Sequence, residues 1–362
     1  VSDWGGVHDT KEAIFNGLDM EFGSWTNGLN WGQSNAYDNY YLAHPYLNLI
    51  KKGEVTEKEL NDKVRRILRL VFRTNMAKER HFGSFGTEEH ALAGRTIAQQ
   101  GIVLLQNKKN VLPVDASKVK RVLVVGENAV KRMTVGGGSS SLKAKYEVSP
   151  LEGIKARLGD GAEVIYSPGY ASPAVKEQDV LGAEEPDKME IDADALRNDA
   201  VKWAKDADVV FFVGGLNKND GQDCEGNDRS SLSLPYEQDQ LITELAKANP
   251  NTVVVIISGN AVAMPWVKQV PAIVEAWYSG TEAGNALASI LFGDVNPSGK
   301  LPFTFPARLE DNGAHALGEH PGDSINVKYN ESIFVGYRWA DKQKKTKPLF
   351  AFGPGLSYTT FA

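Results

Sequence analysis

The chain has 362 residues, of which 42% are hydrophobic and 24% are charged, and its formal net charge is −6 at pH 7. These proportions are typical of folded globular proteins and exclude a disordered, collagen-like or coiled-coil chain. Acidic and basic residues are interspersed, which argues against a nucleic-acid partner, and the longest apolar runs are strand-sized rather than long enough for a membrane span. The single cysteine, Cys224, excludes an internal disulfide framework.

The first 72 residues are predicted to alternate strands with helices. The predicted segments are, in chain order, Val1-Ser2 (strand), 8–17 (helix), 17–22 (strand), and two helices after residue 34, the second opening on a capping box of Thr56 and Glu59. Strand–helix units of this kind build a parallel (β/α)8 barrel, but two of them cannot close one. We therefore expect residues 1–72 to be the C-terminal remnant of such a barrel, in a protein that continues upstream of Val1.

Residues 73–90 show no clear periodicity and are predicted to be a linker. From 91 to 362, near-continuous Val/Ile runs alternate with amphipathic helices, which indicates a mostly parallel sheet covered on both faces. The predicted strands are 121–126, 163–167, 208–215, 252–259 and 272–280; the predicted helices are 91–106, 192–207, 237–248 and 282–292; the tail segments 325–341 and 348–361 are predicted to form a hairpin and edge strands. The fold class is thus α/β: a barrel remnant followed by an α/β sandwich.

Several kinds of site are disfavoured by the sequence. The glycine-containing segments after 125 and at 293–301 depart from the dinucleotide and phosphate-loop patterns, and the second is predicted to be a turn. No two histidines are spaced four apart and no G-x-S-x-G segment follows a strand, so neither a zinc site nor a serine nucleophile is expected. We expect no cofactor and no metal. The glycine- and serine-rich segment 136–141 fits a substrate-side loop and a plain linker about equally well.

Carboxylates remain as candidates for chemistry. Asp3 follows the first predicted strand, and barrel enzymes carry their catalytic groups at the carboxyl ends of strands. Trp4 offers an apolar face on which a sugar can stack, and the following glycines allow a ligand to approach the backbone. The alternative is that Asp3 only caps a helix or a turn.

A second acid is expected from the long loop after the predicted strand 208–215, because irregular loops at strand ends often carry function. This loop contains Asp220, Asp223, Glu225 and Asp228. A carboxylic acid that is partly removed from water has a raised pKa and can act as a general acid. The alternatives are a solvated acidic loop or a calcium loop, although the acids lack the calcium-loop register.

Several longer segments resemble glycoside hydrolase family 3 β-glucosidases, and they span essentially the whole chain. They are, in order, VSDWGGVHD, GLDMEF, KVRRILRLVF, GIVLLQNKKNVLPV, EGNDR, EAGNALASILFGDVNPSGKLPFTFP and GYRWAD…PLFAFGPGLSYTTF. The resemblance implies a barrel followed by an α/β sandwich, with the active site between them. It implies Asp3 as catalytic nucleophile, Glu225 as general acid/base, Trp4 as a residue lining the sugar site and, more weakly, Ser139 as a substrate contact.

The resemblance implies that the protein is a retaining hydrolase that releases terminal β-D-glucose. In such an enzyme the two carboxyl groups lie roughly 5–6 Å apart during reaction. Its partners would be a β-glucoside and an upstream barrel half that carries the remaining sugar-binding groups, with no membrane or nucleic acid. Family resemblance also favours a periplasmic or secreted location. The alternatives are a β-xylosidase of the same family, a catalytically incomplete carbohydrate-binding fragment and, disfavoured by its loops, a nucleotide-binding α/β protein.

Overall fold

The computed structural model describes residues 1–22, 38, 40–74, 76, 82–134, 142–172, 192–219, 221–225, 229–323, 325–343 and 346–360. It divides into two compact units, Val1–Ser84 and Phe85–Ala362. Three candidate residues from the sequence analysis, Ser139, Asp220 and Asp228, lie outside the described residues. The predicted domain limits at 72 and 91 stay a prediction.

The described residues of the first unit form the helices α1 (Thr10–Phe15), α2 (His44–Lys51) and α3 (Glu57–Thr74). The two strands predicted at its start are wrong as regular strands. A strand requires a ladder of backbone hydrogen bonds, and within 1–22 the extended segments share one, from Ser2 N to Met20 O at 3.0 Å. The Ser2 hydroxyl accepts a further bond from Phe22 N at 2.8 Å, so the two segments lie side by side without forming a ladder.

Helix α3 begins with one of the two bonds of the predicted capping box, since the Thr56 hydroxyl accepts from Lys58 N instead of Glu59 N. The Glu59 carboxylate accepts from Thr56 N at 3.2 Å, and the Thr56 hydroxyl accepts from Lys58 N at 3.2 Å. One face of the helix is anchored to α1 by the buried Lys63 ammonium, which donates to the carbonyls of Ile14 at 3.0 Å and Leu18 at 2.5 Å. These contacts satisfy carbonyls at the C-terminal end of α1, where no further helical turn supplies donors.

Another face of α3 is not covered within the first unit. Leu60, Val64 and Leu68 recur at the spacing of one helix face, yet their exposed fractions are 38%, 42% and 46%. An apolar stripe at this spacing normally faces a core. The sequence pattern is therefore that of a buried helix, whereas the described residues of the chain leave the stripe open.

The second unit is built on a six-stranded sheet with the order β1-β6-β5-β4-β2-β3. The strands are β1 (Val103–Asn107), β2 (Arg121–Val125), β3 (Glu163–Ser167), β4 (Val209–Gly215), β5 (Thr252–Ile257) and β6 (Ala272–Glu275). Strands β2 to β6 pair in parallel, and β1 pairs antiparallel to β6. The predicted mostly parallel sheet and the five strands named from sequence are confirmed.

Helices cover both faces of this sheet. Those of the unit are α4 (Glu88–Gly101), α5 (Pro150–Leu158), α6 (Ala193–Ala204), α7 (Gln238–Ala248), α8 (Ala283–Leu291), α9 (Gly313–Ala316) and α10 (Tyr337–Lys342). Alternate strand residues divide between two cores: Val122 and Val124 pack with α4, α5 and α8, while Leu123 and Val125 pack with α6 and α7. This division follows from the period of two in a strand and explains why the strand sequences are apolar throughout.

Two predictions about this unit are wrong. The predicted helix 91–106 ends at Gly101, and Val103–Asn107 forms the antiparallel edge strand β1. Glycine followed by β-branched residues favours this change, and Val103 and Leu104 are fully buried between the two cores. In the tail, Tyr337–Lys342 is helical, and the only strand-like contacts among described residues are single bridges from Leu356 to Leu104 and from Phe350 to Phe305.

No helix in the described part of the chain combines the length and apolar character needed to cross a membrane.

Candidate active site

Asp3 lies in a tight turn at the start of the chain. Its Oδ1 accepts from Trp4 N at 2.8 Å, and its carbonyl accepts from Gly6 N at 3.1 Å. Gly5 takes a φ of 69°, in the left-handed region that glycine tolerates at this turn position. The carboxylate is exposed. It does not cap α1, because Asp9 accepts from Glu12 N at 2.8 Å and does so instead.

Trp4 follows Asp3 directly in the chain, and its side chain is also exposed. The indole is 57% exposed, and its ring meets Phe22 edge to face with centroids 5.8 Å apart. The Phe22 contact holds an otherwise exposed ring in one orientation, and edge-to-face pairs of this kind are stabilising by about 0.5–1.5 kcal/mol. An exposed carboxylate next to an oriented, exposed indole is a suitable surface for a sugar ring.

In the second unit, the loop from 216 to 237 leaves the carboxyl end of β4 and leads to α7. Its first part is fastened by buried amides. Gln222 Oε1 accepts from Asn217 N at 2.9 Å, and Gln222 Nε2 donates to the Tyr236 hydroxyl at 3.0 Å. Because Gln222 and Asn217 are 7% and 3% exposed, these bonds are shielded from water and the start of the loop is well fixed.

Asp223, in this loop, accepts three side-chain or backbone hydrogen bonds from other strand ends. Its carboxylate accepts from Gly259 N at 2.6 Å, Asn260 Nδ2 at 2.6 Å and the Tyr278 hydroxyl at 2.8 Å. Gly259 and Asn260 follow β5 and Tyr278 follows β6, so the loops after three neighbouring strands meet on one carboxylate. In this arrangement both oxygens act as acceptors, which leaves Asp223 unsuited to donate a proton to a substrate.

Glu225 lies two residues further on and is exposed. Arg229, beyond it, donates through Nη2 to Asn260 Oδ1 and to the carbonyl of Ala261, the latter at 2.8 Å. Burial lowers the pKa of Arg229, and the charge of Asp223 opposes that effect. Among the described residues between Asp223 and Arg229, Glu225 is the one exposed carboxyl group, and it lies between two anchored residues.

The structure places each half of the predicted pair on its own unit, Asp3 and Trp4 on the first and Glu225 on the second. Asp220 and Asp228 lie outside the described residues, as Ser139 does. Sequence reasoning missed the anchoring role of Asp223 and its partners Asn260 and Tyr278. The only signal for them was position, since both follow apolar strands at the same sheet edge.

Metal ligation has no candidate in the parts of the chain that the structure describes. No group of three or more His, Cys, Asp or Glu side chains lies close enough together there to hold an ion.

Comparison with known proteins decides the family. The model of the "Glycosyl hydrolase family 3 C-terminal domain" matches residues 102–358. The chain belongs to glycosyl hydrolase family 3. The matched residues lie wholly in the second unit and include the sheet, the Glu225 loop and the tail.

Named relatives in family 3 extend the similarity to the whole chain. The chain is 52% identical to beta-glucosidase BoGH3A of Bacteroides ovatus over 370 residues, covering 100% of this chain and 48% of that protein. It is 35% identical to thermostable beta-glucosidase B of Acetivibrio thermocellus, covering 43% of that protein. It therefore spans about half the length of these curated relatives.

Solved structures agree with this assignment. DesR, a beta-glucosidase from Streptomyces venezuelae in complex with D-glucose, superposes with a TM-score of 0.83 at 28% identity, over 99% of this chain and 57% of that one. Beta-glucosidase from Kluyveromyces marxianus in complex with glucose gives a TM-score of 0.75 at 26% identity, over 99% and 59%. The family 3 sandwich is thus shared with proteins that were solved with glucose.

Proposed function

We propose that this chain supplies both catalytic carboxyl groups of a retaining β-glucosidase, with Asp3 as nucleophile and Glu225 as general acid/base. The observation that supports this most directly is the placement of Glu225. It is an exposed carboxyl group on a loop that is anchored on both sides, at the carboxyl edge of a buried parallel sheet. Its relatives BoGH3A and beta-glucosidase B carry the activity in their names.

The chemistry follows from two carboxyl groups on opposite faces of a sugar. Asp3 attacks the anomeric carbon while the protonated Glu225 donates to the glycosidic oxygen, so that the leaving alcohol departs neutral. The ionised Glu225 then removes a proton from water, which attacks the glycosyl-enzyme and frees Asp3. This scheme requires the two carboxyl groups to come within about 5–6 Å. Trp4 offers its exposed ring to the sugar, and Ser139 is a second, weaker candidate contact.

We also propose that residues 1–72 are the last part of a (β/α)8 barrel whose earlier strands come from upstream sequence. The exposed stripe of Leu60, Val64 and Leu68 supports this, because a barrel helix buries such a stripe against the sheet. The curated relatives are about twice as long as this chain, which leaves room for those strands. Export to the periplasm or the medium stays a prediction.

The test uses the complete gene product and aryl β-glucosides that differ in leaving group. Glu225→Gln is expected to lower kcat/KM for phenyl β-glucoside by about 10²–10⁴-fold, because that alcohol needs a proton as it departs. For 2,4-dinitrophenyl β-glucoside, whose leaving group needs no proton, kcat/KM should stay near wild type. Asp3→Ala should reduce both substrates to background, because no glycosyl-enzyme forms. Near-normal activity of Asp3→Ala, or equal losses for both substrates in Glu225→Gln, would refute the assignment.

A further inference from the structure

The segment that carries Glu225 is held at both ends by one side chain. On its N-terminal side, Asp223 Oδ1 accepts from Asn260 Nδ2 at 2.6 Å. On its C-terminal side, Arg229 Nη2 donates to Asn260 Oδ1, and also to the carbonyl of Ala261 at 2.8 Å. The Asn260 amide thus donates to Asp223 and accepts from Arg229. Glu225 lies between these two attachment points.

The second oxygen of Asp223 is also occupied. Asp223 Oδ2 accepts from Gly259 N at 2.6 Å and from the Tyr278 hydroxyl at 2.8 Å. Burial, together with the charge of Asp223, raises the pKa of Tyr278 far above its ordinary value, so the hydroxyl stays a donor at any working pH. The Lys218 ammonium lies 3.8 Å from the centre of the Tyr278 ring, which fixes the ring from its outer face.

In an ordinary capped loop the hydrogen-bond donors belong to the loop itself, whereas the donors to Asp223 belong to other loops. In an Asx turn the side chain bonds to the backbone of its own loop. Asp223 instead accepts hydrogen bonds from the loops that follow β5 and β6. A charged acceptor with three donors at 2.6–2.8 Å forms strong hydrogen bonds. Movement of Asp223 would therefore break contacts with two other strand ends at once.

We propose that Asp223 is the positioning residue for Glu225, and that Asn260 and Tyr278 complete a clasp that holds the Glu225 carboxyl group where a glycosidic oxygen arrives. This inference rests on the proposed function, since it assigns the clasp to the same acid/base. Asp223 touches no reacting atom; it acts through the backbone that it shares with Glu225. The clasp restricts the carboxyl group to a small range of positions, and proton donation requires that geometry.

The test replaces Asp223 by asparagine in the complete gene product. Asparagine has one acceptor oxygen, so it cannot satisfy all three donors, while its size is unchanged. We expect kcat/KM for phenyl β-glucoside to fall by about 10–100-fold, because a misplaced catalytic group costs rate on this scale. For 2,4-dinitrophenyl β-glucoside kcat/KM should stay near wild type. A purely structural defect would lower kcat/KM for both substrates alike. A loss confined to phenyl β-glucoside therefore points to a misplaced proton donor.

The matched control is Asp208→Asn. Asp208 lies at the opposite end of β4, where its carboxylate accepts from Lys120 N at 2.6 Å and Arg121 N at 2.9 Å. It makes the same type of bond at the other edge of the sheet, and its replacement should leave the ratio of the two kcat/KM values unchanged. Tyr278→Phe removes one donor and keeps the ring, and it should change the ratio in the same direction as Asp223→Asn by a smaller factor.

The outcomes separate the clasp from the proposed function. If Glu225→Gln shows the leaving-group dependence and Asp223→Asn does not, the clasp is overturned and the acid/base assignment stands. If Glu225→Gln shows no such dependence, both are overturned. If Asp223→Asn fails to fold, as judged by circular dichroism, Tyr278→Phe decides: a selective loss on the phenyl glucoside supports the clasp, and an unchanged ratio overturns it.

Discussion

At the scale of single residues, the most unusual group is a carboxyl group that the proposed mechanism does not use. Glu275 ends β6 and is 0% exposed. Its Oε1 accepts from the Ser258 hydroxyl and from Trp277 N, both at 3.3 Å, whereas no partner for Oε2 is found among the described residues. Burial, reinforced by the nearby negative charge of Asp223, raises the pKa of Glu275 well above 4.5. Burial therefore favours the neutral form of Glu275.

The raised pKa of Glu275 makes the free energy of unfolding depend on pH. The unfolded chain releases the Glu275 proton near pH 4.5, while the folded chain keeps it to higher pH. Its contribution to stability is therefore fully present below pH 4.5 and is lost as the pH rises towards the folded-state pKa. Glu275→Gln keeps the shape and removes the titration. We expect the difference in melting temperature between Glu275→Gln and wild type to increase by a few degrees from pH 4 to pH 8. A change of 1 kcal/mol in the free energy of unfolding corresponds to about 2–4 °C.

The measurement is the melting temperature by circular dichroism across that pH range, with Asp115→Gln as the control. Asp115 is an exposed carboxylate whose pKa is lowered to about 2 by its bonds from Ser117 and Lys118. Its stabilisation is present above pH 3.8 and is lost only as the pH falls towards 2. Between pH 4 and pH 8 the melting curve of the control should therefore stay nearly parallel to that of wild type. Parallel curves for Glu275→Gln and wild type would contradict a neutral Glu275.

At the scale of elements, the crossing of α5 and α8 is the tightest contact between helices in the second unit. A Cβ on Gly153 would lie 2.1 Å from the carbonyl oxygen of Gly284, and a Cβ on Gly284 would lie 2.0 Å from that of Ser149. The two backbones thus touch, and only glycine permits it. The two helices lie together over the core formed with β2 and β4.

Gly153→Ala is expected to destabilise the chain by about 1–3 kcal/mol, the usual cost of forcing extra volume into a packed site. Its counterpart is Gly94→Ala in α4, where the added methyl meets nothing within 4 Å among the described residues. There alanine should stabilise by about 0.5–1 kcal/mol through helix propensity. Chemical denaturation of both variants gives the comparison. Equal changes in the free energy of unfolding for the two variants would show that the α5–α8 contact adjusts to an added methyl group without loss of stability.

At the scale of the whole molecule, the chain is two units that carry one proposed catalytic group each. The barrel strands that would complete the first unit are proposed to come from upstream sequence, and the exposed stripe on α3 is their expected contact. The sandwich, by contrast, has a sheet with helices on both faces and two continuous cores.

We expect the 362-residue chain by itself to show no hydrolysis of 2,4-dinitrophenyl β-glucoside above background, because the proposed sugar site needs barrel strands from upstream sequence. The complete gene product should be active. Glucose binding, followed by isothermal titration calorimetry, should likewise require the complete product. Activity of the chain alone would contradict the proposed barrel remnant and favour a site built entirely from these residues.

The amino-acid sequence by itself determined the type of sheet. Runs such as those of β4 and β5 are almost entirely apolar, and only a strand with cores on both sides buries all of their residues. It also determined the start of α3 through Thr56 and Glu59, because a capping box is a local interaction. The turn at Asp3 likewise depends on neighbours a few residues away.

Only the tertiary structure decided what depends on distant partners. The segment 103–107 continues a helical pattern, yet pairing with β6 makes it a strand, and the tail lacks the pairing that its sequence suggests. The clasp is another case: nothing local joins Asp223 to Asn260 and Tyr278, which follow two other strands. Parallel strands bring their carboxyl ends to one edge, so side chains far apart in sequence meet there, and no spacing rule along the chain reports that meeting.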